Sequence, residues 1–199
     1  MKITTLTTLA LLPVAAAFGT VIDGLEWANT NVAQPGTFAE KPDMYTEFYQ
    51  WNRLKAWPAT GSISGNWNNS PDQSPTWTVN PCPTGWRLPT NDEYMALDGK
   101  GSTWVAANAK GNAVAGRFYG KRHANCSLPN DMTDCVFFPA TGYRNITNGE
   151  SGYQGAYGDY WSNTQASDLN GYHLFFYNLG SNPATNNSKA SGFSIRCVR

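Results

Sequence analysis

The segment from Arg144 to Ser191 sets the terms for this chain, because 25 of its 48 residues are Asn, Gly, Ser or Tyr. Asn, Gly and Ser favour turns over regular backbone pairing, so such a run cannot be a succession of helices. Arg144 and Lys189 are its only Lys or Arg. Tyr brings large, stiff, amphipathic contact area, while Ser, Gly and Asn bring adaptable hydrogen bonding, the mixture that antibody recognition loops use. A solvated, turn-rich sheet edge would share that composition. The strand signals favour the recognition surface. Tyr172 to Leu179 (YHLFFYNL) is β-rich and ends at Gly180, which predicts a strand. Side chains alternate along a strand, so Tyr172, Leu174 and Phe176 are expected on a core and His173, Phe175 and Tyr177 on the outer face. Aromatics on an outer face mean a second layer or an interaction site. The closing run alternates Phe193, Ile195 and Cys197 with Ser194, Arg196 and Val198, which predicts a central strand holding the C-terminus.

At 199 residues one domain is expected, residues 18–199, after a short leader. Residues 1–17 read as a secretory signal, with Lys2, an apolar centre from Leu9 to Val14, and Ala15-Ala16-Ala17 before Phe18. The other reading is an N-terminal arm that docks on a partner subunit. The apolar run is shorter than the ~20 residues a membrane span needs. Formal net charge is zero and only 14% of residues are charged, which argues against nucleic acid or an anionic membrane as partner. With 19 Gly and 12 Pro, one or two short helices, short strands and long loops are expected.

Four cysteines allow three pairings. Cys126 and Cys135 flank the turn-rich Leu128-Pro129-Asn130-Asp131, so a local bridge is natural, and that leaves Cys82 with Cys197. Bridges fit an extracellular location. No pair has CxxC spacing and the only histidines are His123 and His173, so no metal site or cofactor is expected.

Along the chain, Val21 to Ala28 reads as a strand entering a turn, and Tyr45 to Trp57 as an aromatic core segment stopped by Pro58. Thr90-Asn91-Asp92-Glu93 is a capping box, predicting a helix from about Asn91 to Asp98 that stops at Gly99. Capping also explains the paired acids Asp92 and Glu93 without catalysis. Ala113 to Tyr119 and Val136 to Phe138 read as strands. No GxSxG, Walker-type glycine loop or HExxH is present, so no catalytic residues are assigned and no enzyme is expected.

Six ordered blocks resemble one family. They are Gly24-Leu25-Glu26-Trp27-Ala28, Phe48-Tyr49-Gln50-Trp51-Asn52-Arg53, Cys82-Pro83-Thr84-Gly85-Trp86-Arg87-Leu88-Pro89-Thr90, Phe138-Pro139-Ala140-Thr141-Gly142-Tyr143-Arg144, Tyr160-Trp161-Ser162-Asn163-Thr164 and Gly192 to Arg199. Together, over roughly Val21 to Arg199, they resemble the Fibrobacter succinogenes major paralogous domain, common in Bacteroidetes and their phages and similar to C-type lectin-like folds. The resemblance implies an α+β, C-type lectin-like fold of short, twisted antiparallel strands. Some such domains are variable proteins of diversity-generating retroelements, in which an adenine-rich template mutates the C-terminal coding segment. Segment 144–191, rich in Asn, Tyr and Ser, looks like that region. Trp161, Leu174, Phe176, Phe193 and Ile195 would then be scaffold. The exposed positions between them would bind ligand: Asn145, Asn148, Tyr153, Tyr157, Asp159, Asn163, His173, Phe175, Tyr177, Asn178, Asn182, Asn186 and Asn187. Sugar-binding relatives use calcium with a Pro-containing carboxylate/amide motif and a Trp-Asn-Asp triplet, to which only Trp161-Ser162-Asn163 comes near. A formylglycine-generating relative needs reactive thiols where bridges are expected here. The implied role is a non-enzymatic receptor-binding or adhesion protein on a virion or cell surface, taking a cell-surface protein or glycan and displayed as a homotrimer. The alternative is a structural surface component whose exposed aromatics make subunit contacts.

Overall fold

The fold begins at Asp23 and Gly24, whose φ angles are both positive, at 51° and 83°. That pair closes a two-residue hairpin whose twist matches its strands, and it joins β1 (Gly19–Ile22) to β2 (Leu25–Ala28). A computed structural model describes residues 18–63, 67–129 and 131–199. The expected leader, 1–17, lies outside the described residues.

The single helix of the described residues, α1 (Asn91–Asp98), starts where its capping box requires. The Thr90 hydroxyl accepts from the Glu93 amide at 3.2 Å, and the Glu93 carboxylate accepts from the Thr90 amide at 2.8 Å. Arg87 adds an ion pair to Glu93 at 2.6 Å. The helix buries Tyr94 and Leu97.

Two three-stranded antiparallel sheets follow. One orders β3 (Ser102–Val105), β4 (Gly116–Tyr119) and β5 (Val136–Pro139) side by side. The short pair β6 (Tyr143–Arg144) and β7 (Ser151–Gly152) comes between the sheets in sequence. The second sheet places β9 (Asn170–Tyr177) between β8 (Gly158–Gln165) and β10 (Gly180–Ser188). The result is a small, mixed, β-rich fold with one short helix.

Its main core is formed by Tyr160, Leu174 and Phe176 of the second sheet, Tyr94 and Leu97 of α1, and Tyr119, Val136 and Phe138 of the first sheet. Gly158 is required here, because a Cβ would overlap the Phe176 ring. The other face of the second sheet meets a second core containing Tyr49, Trp51, Trp86, Trp161, Phe193 and Ile195. Trp161, Leu174, Phe176, Phe193 and Ile195, read as scaffold, are all buried. Tyr172 is only half-buried.

The closing run is central, as expected, but it is not a regular strand. It changes neighbours almost residue by residue, bridging Gly192 to Arg144, Phe193 to Tyr49, Ser194 to Tyr160, and Val198 to both Trp27 and Arg87. Its expected polar side is buried too, with Ser194, Arg196 and Val198 inaccessible. Both disulfides form as paired from the sequence, Cys82 with Cys197 and Cys126 with Cys135. Among the described residues no helix is long and apolar enough to cross a membrane.

Candidate functional site

Cross-strand register assembles one face of the second sheet. Asp159 lies opposite Phe175 and Trp161 opposite His173. From the other edge, Asn182 lies opposite Phe175, Thr185 opposite His173, and Asn187 opposite Gly171. Partners in register share a face. One end of that face is covered, since Trp51 and Phe193 pack on Trp161 at 5.5 and 4.4 Å and Phe193 lies 4.6 Å from the His173 ring. The other end opens into a cavity of about 380 Å3 lined by Tyr143, Asn145, Ile146, Tyr157, Asp159, His173, Phe175, Thr185, Asn187 and Ser191. That volume lies within the range of small-ligand sites, about 300–1,000 Å3.

A row of rings forms its wall. Tyr143 stacks on Tyr153 at 5.7 Å, and Tyr153 on Tyr157 at 4.4 Å with the planes 2° apart. Tyr157 meets Phe175 edge-on at 5.3 Å, and Phe175 stacks on Tyr177 at 5.7 Å. Each pair contributes roughly 0.5–1.5 kcal/mol beyond its burial. Tyr153 holds a left-handed backbone (φ 58°), uncommon for a residue with a side chain. Its carbonyl accepts from the amides of Ala156 and Tyr157 at 3.0 and 2.9 Å, which sets the turn that aligns the rings.

The floor is polar and buried. Asp159 Oδ1 lies 3.2 Å from His173 Nε2, with the side chains 6% and 2% exposed. Among the described residues Asp159 Oδ2 and His173 Nδ1 have no hydrogen-bond partner. Burial pushes the Asp159 carboxyl above its ordinary value, and the contact with His173 opposes that shift. Burial also raises the Tyr143 phenol, helped by Tyr153, Asp159 and Tyr157.

Because the folded Asp159 holds its proton to higher pH than the unfolded one, stability falls as pH rises through the window above 3.8, and the deficit persists at neutral pH. Asp159→Asn keeps the shape and removes the titration. We expect it to raise the thermal midpoint at neutral pH, with the gain vanishing at acid pH, in scans across both ranges; a lower midpoint at neutral pH would contradict this.

Six expected site residues therefore meet at the cavity: Asn145, Tyr157, Asp159, His173, Phe175 and Asn187. Tyr153 and Tyr177 extend the ring wall, and Asn182 shares its face. Asp159 and His173 were expected to be exposed and are buried: Phe193 packs on the His173 ring at 4.6 Å, and the Asp159 carboxylate lies against that imidazole. The remaining four lie elsewhere. Asn163 accepts from the Trp77 amide at 2.9 Å, Asn148 lines a separate groove beside Arg144, Asn178 is in the turn after β9, and Asn186 pairs with Tyr172 on the opposite face. The cavity residues not anticipated are Tyr143, Ile146, Thr185 and Ser191. Tyr143 was visible as part of a family block, and Thr185 needed the register of β10.

Asp159, His173 and Ser191 have the composition of an acyl-transfer triad but not its geometry. The Ser191 hydroxyl donates to Asn187 Oδ1 at 3.4 Å, while His173 Nδ1 is unbonded, so no nucleophile is coupled to the imidazole. All four cysteines are in disulfides. Among the described residues no group of three or more His, Cys, Asp or Glu could hold a metal ion.

The family model of the Fibrobacter succinogenes major domain matches residues 18–199, and the chain belongs to that family. No curated protein and no solved structure matches it.

Proposed function

We propose that this protein is a non-enzymatic, C-type lectin-like receptor-binding domain, displayed on a bacterial or virion surface and recognising a cell-surface protein or glycan. The observation that carries the reading is the cavity itself, a concave aromatic wall rimmed by amides and built from segment 144–191 together with Tyr143. Aromatic anchors beside adaptable amides are the chemistry of recognition surfaces. Asn145, Asn148, Asn182, Asn186 and Asn187 are exposed, so substitution there leaves the core intact, which suits a segment diversified by a retroelement. The two disulfides fit an extracellular setting. Trimeric display would raise a modest affinity per site through multivalency. The reading as a structural subunit is less well supported, since these rings stack on one another around a concavity and do not form a flat contact surface.

The test is binding of the labelled protein to arrayed glycans and to intact bacterial cells, compared with Tyr157→Ala/Phe175→Ala. We expect the double variant, folded by circular dichroism, to bind roughly 10–100-fold more weakly. Undiminished binding would rule out this cavity. A reverse transcriptase and an adenine-rich near-copy of codons 144–191 in the flanking DNA would support diversification.

A further inference from the structure

Asp159 Oδ2 is buried at the cavity floor with no hydrogen-bond partner among the described residues. The other oxygen of that carboxylate, Oδ1, lies 3.2 Å from His173 Nε2. Solvent scarcely reaches Asp159 Oδ2. Among the described residues no Lys or Arg lines the cavity. Apart from His173, the ionisable neighbours of Asp159 are phenols: Tyr143 and Tyr157 on the wall and Tyr160 on the opposite face of β8. An ionised carboxylate with one buried oxygen unpartnered is unfavourable. Around it stand electron-rich ring faces that attract cations.

We propose that the cavity takes an organic ammonium group, paired with Asp159 and lying against the ring wall of Tyr157 and Phe175. This rests on the reading of the cavity as the ligand site and narrows its ligand to one that carries a cation. An ammonium supplies a donor to Asp159 Oδ2 together with a positive charge, whereas a hydroxyl supplies a donor and no charge. The group could belong to a lysine side chain of a surface protein or to an amino sugar.

The intact protein is titrated, with NMR detection, against Nα-acetyl-lysine methylamide, methyl glucosaminide and neutral methyl glucoside. We expect saturable binding of an ammonium probe, at least 10-fold weaker in Asp159→Asn and stronger as pH rises and Asp159 ionises. Binding of the lysine probe alone identifies a protein source, and of the glucosaminide alone a glycan source. Equal binding of the neutral glucoside, or an affinity that Asp159→Asn leaves unchanged, overturns the ammonium assignment. Cell binding that depends on Tyr157 and Phe175 but not on Asp159 overturns it while leaving the ligand site in place. Cell binding indifferent to all three residues removes both.

Discussion

Arg196→Met should lower the free energy of unfolding by about 3–5 kcal/mol, the largest loss expected from any single substitution in the closing run. The guanidinium is fully buried. It donates to Asn31 Oδ1 at 2.9 Å, to the Ala28 carbonyl at 2.7 Å and to the Phe137 carbonyl at 2.8 Å, and it lies 4.5 Å from the Phe138 ring centre. Burial pulls its pKa down to about 10, so it stays charged at neutral pH. Methionine fills much of the volume but abandons three acceptors, each costing about 1–3 kcal/mol when left unpaired. The desolvation of the cation is recovered, which keeps the net loss below the sum. Asn31 also donates to the Tyr160 hydroxyl at 3.2 Å, which donates to the Pro139 carbonyl at 2.6 Å, so the substitution disturbs one network joining the first hairpin, both larger sheets and the C-terminus. Urea unfolding measures it. A loss under about 1 kcal/mol with unchanged m-value would mean that water or a shifted carbonyl replaces the guanidinium.

How legible the molecule was depends on how local its determinants are. Helix α1 could be read to the residue because Thr90, Glu93 and Gly99 specify it within ten positions. The disulfides followed from one short spacing and elimination. The site was half legible. Period-two alternation put His173, Phe175 and Tyr177 on one face, and that holds, but it could not show that Trp51 and Phe193 arrive from distant parts of the chain to bury His173. Asn186 shows the limit most clearly. A bulge between Asn182 and Thr185 shifts the pairing of β10 by one residue, which exchanges its faces. Without the bulge Asn186 would share the face of Asn182; with it, Thr185 and Asn187 take that place. Asn163 lies inside an irregularity of β8, between Trp161 and Gln165, where the pairing with β9 is interrupted, and its side chain serves Trp77 instead.

Removing the Cys82–Cys197 bridge by Cys82→Ala/Cys197→Ala should cost more than removing Cys126–Cys135 in the same way, by about 2 kcal/mol. The two bridges close separations of 115 and 9 residues. Chain-entropy arithmetic assigns them about 4.8 and about 2.6 kcal/mol, because a longer loop withdraws more freedom from the unfolded chain. All four sulfur positions are buried, so the cavity cost of Cys→Ala is similar at each site and largely cancels in the comparison. The effect should reside in the unfolded state. Below its lowered midpoint, the Cys82/Cys197 variant should therefore bind ligand as the parent does, since Phe193 and Val198 keep their own backbone bridges to Tyr49, Trp27 and Arg87. Denaturant unfolding of both variants, with binding measured at a temperature where each is folded, separates the possibilities. Equal losses would mean that residual structure in the unfolded chain already brings Cys82 near Cys197. A loss of binding by the folded variant would mean that the bridge holds Phe193 over His173 and so shapes the cavity floor directly.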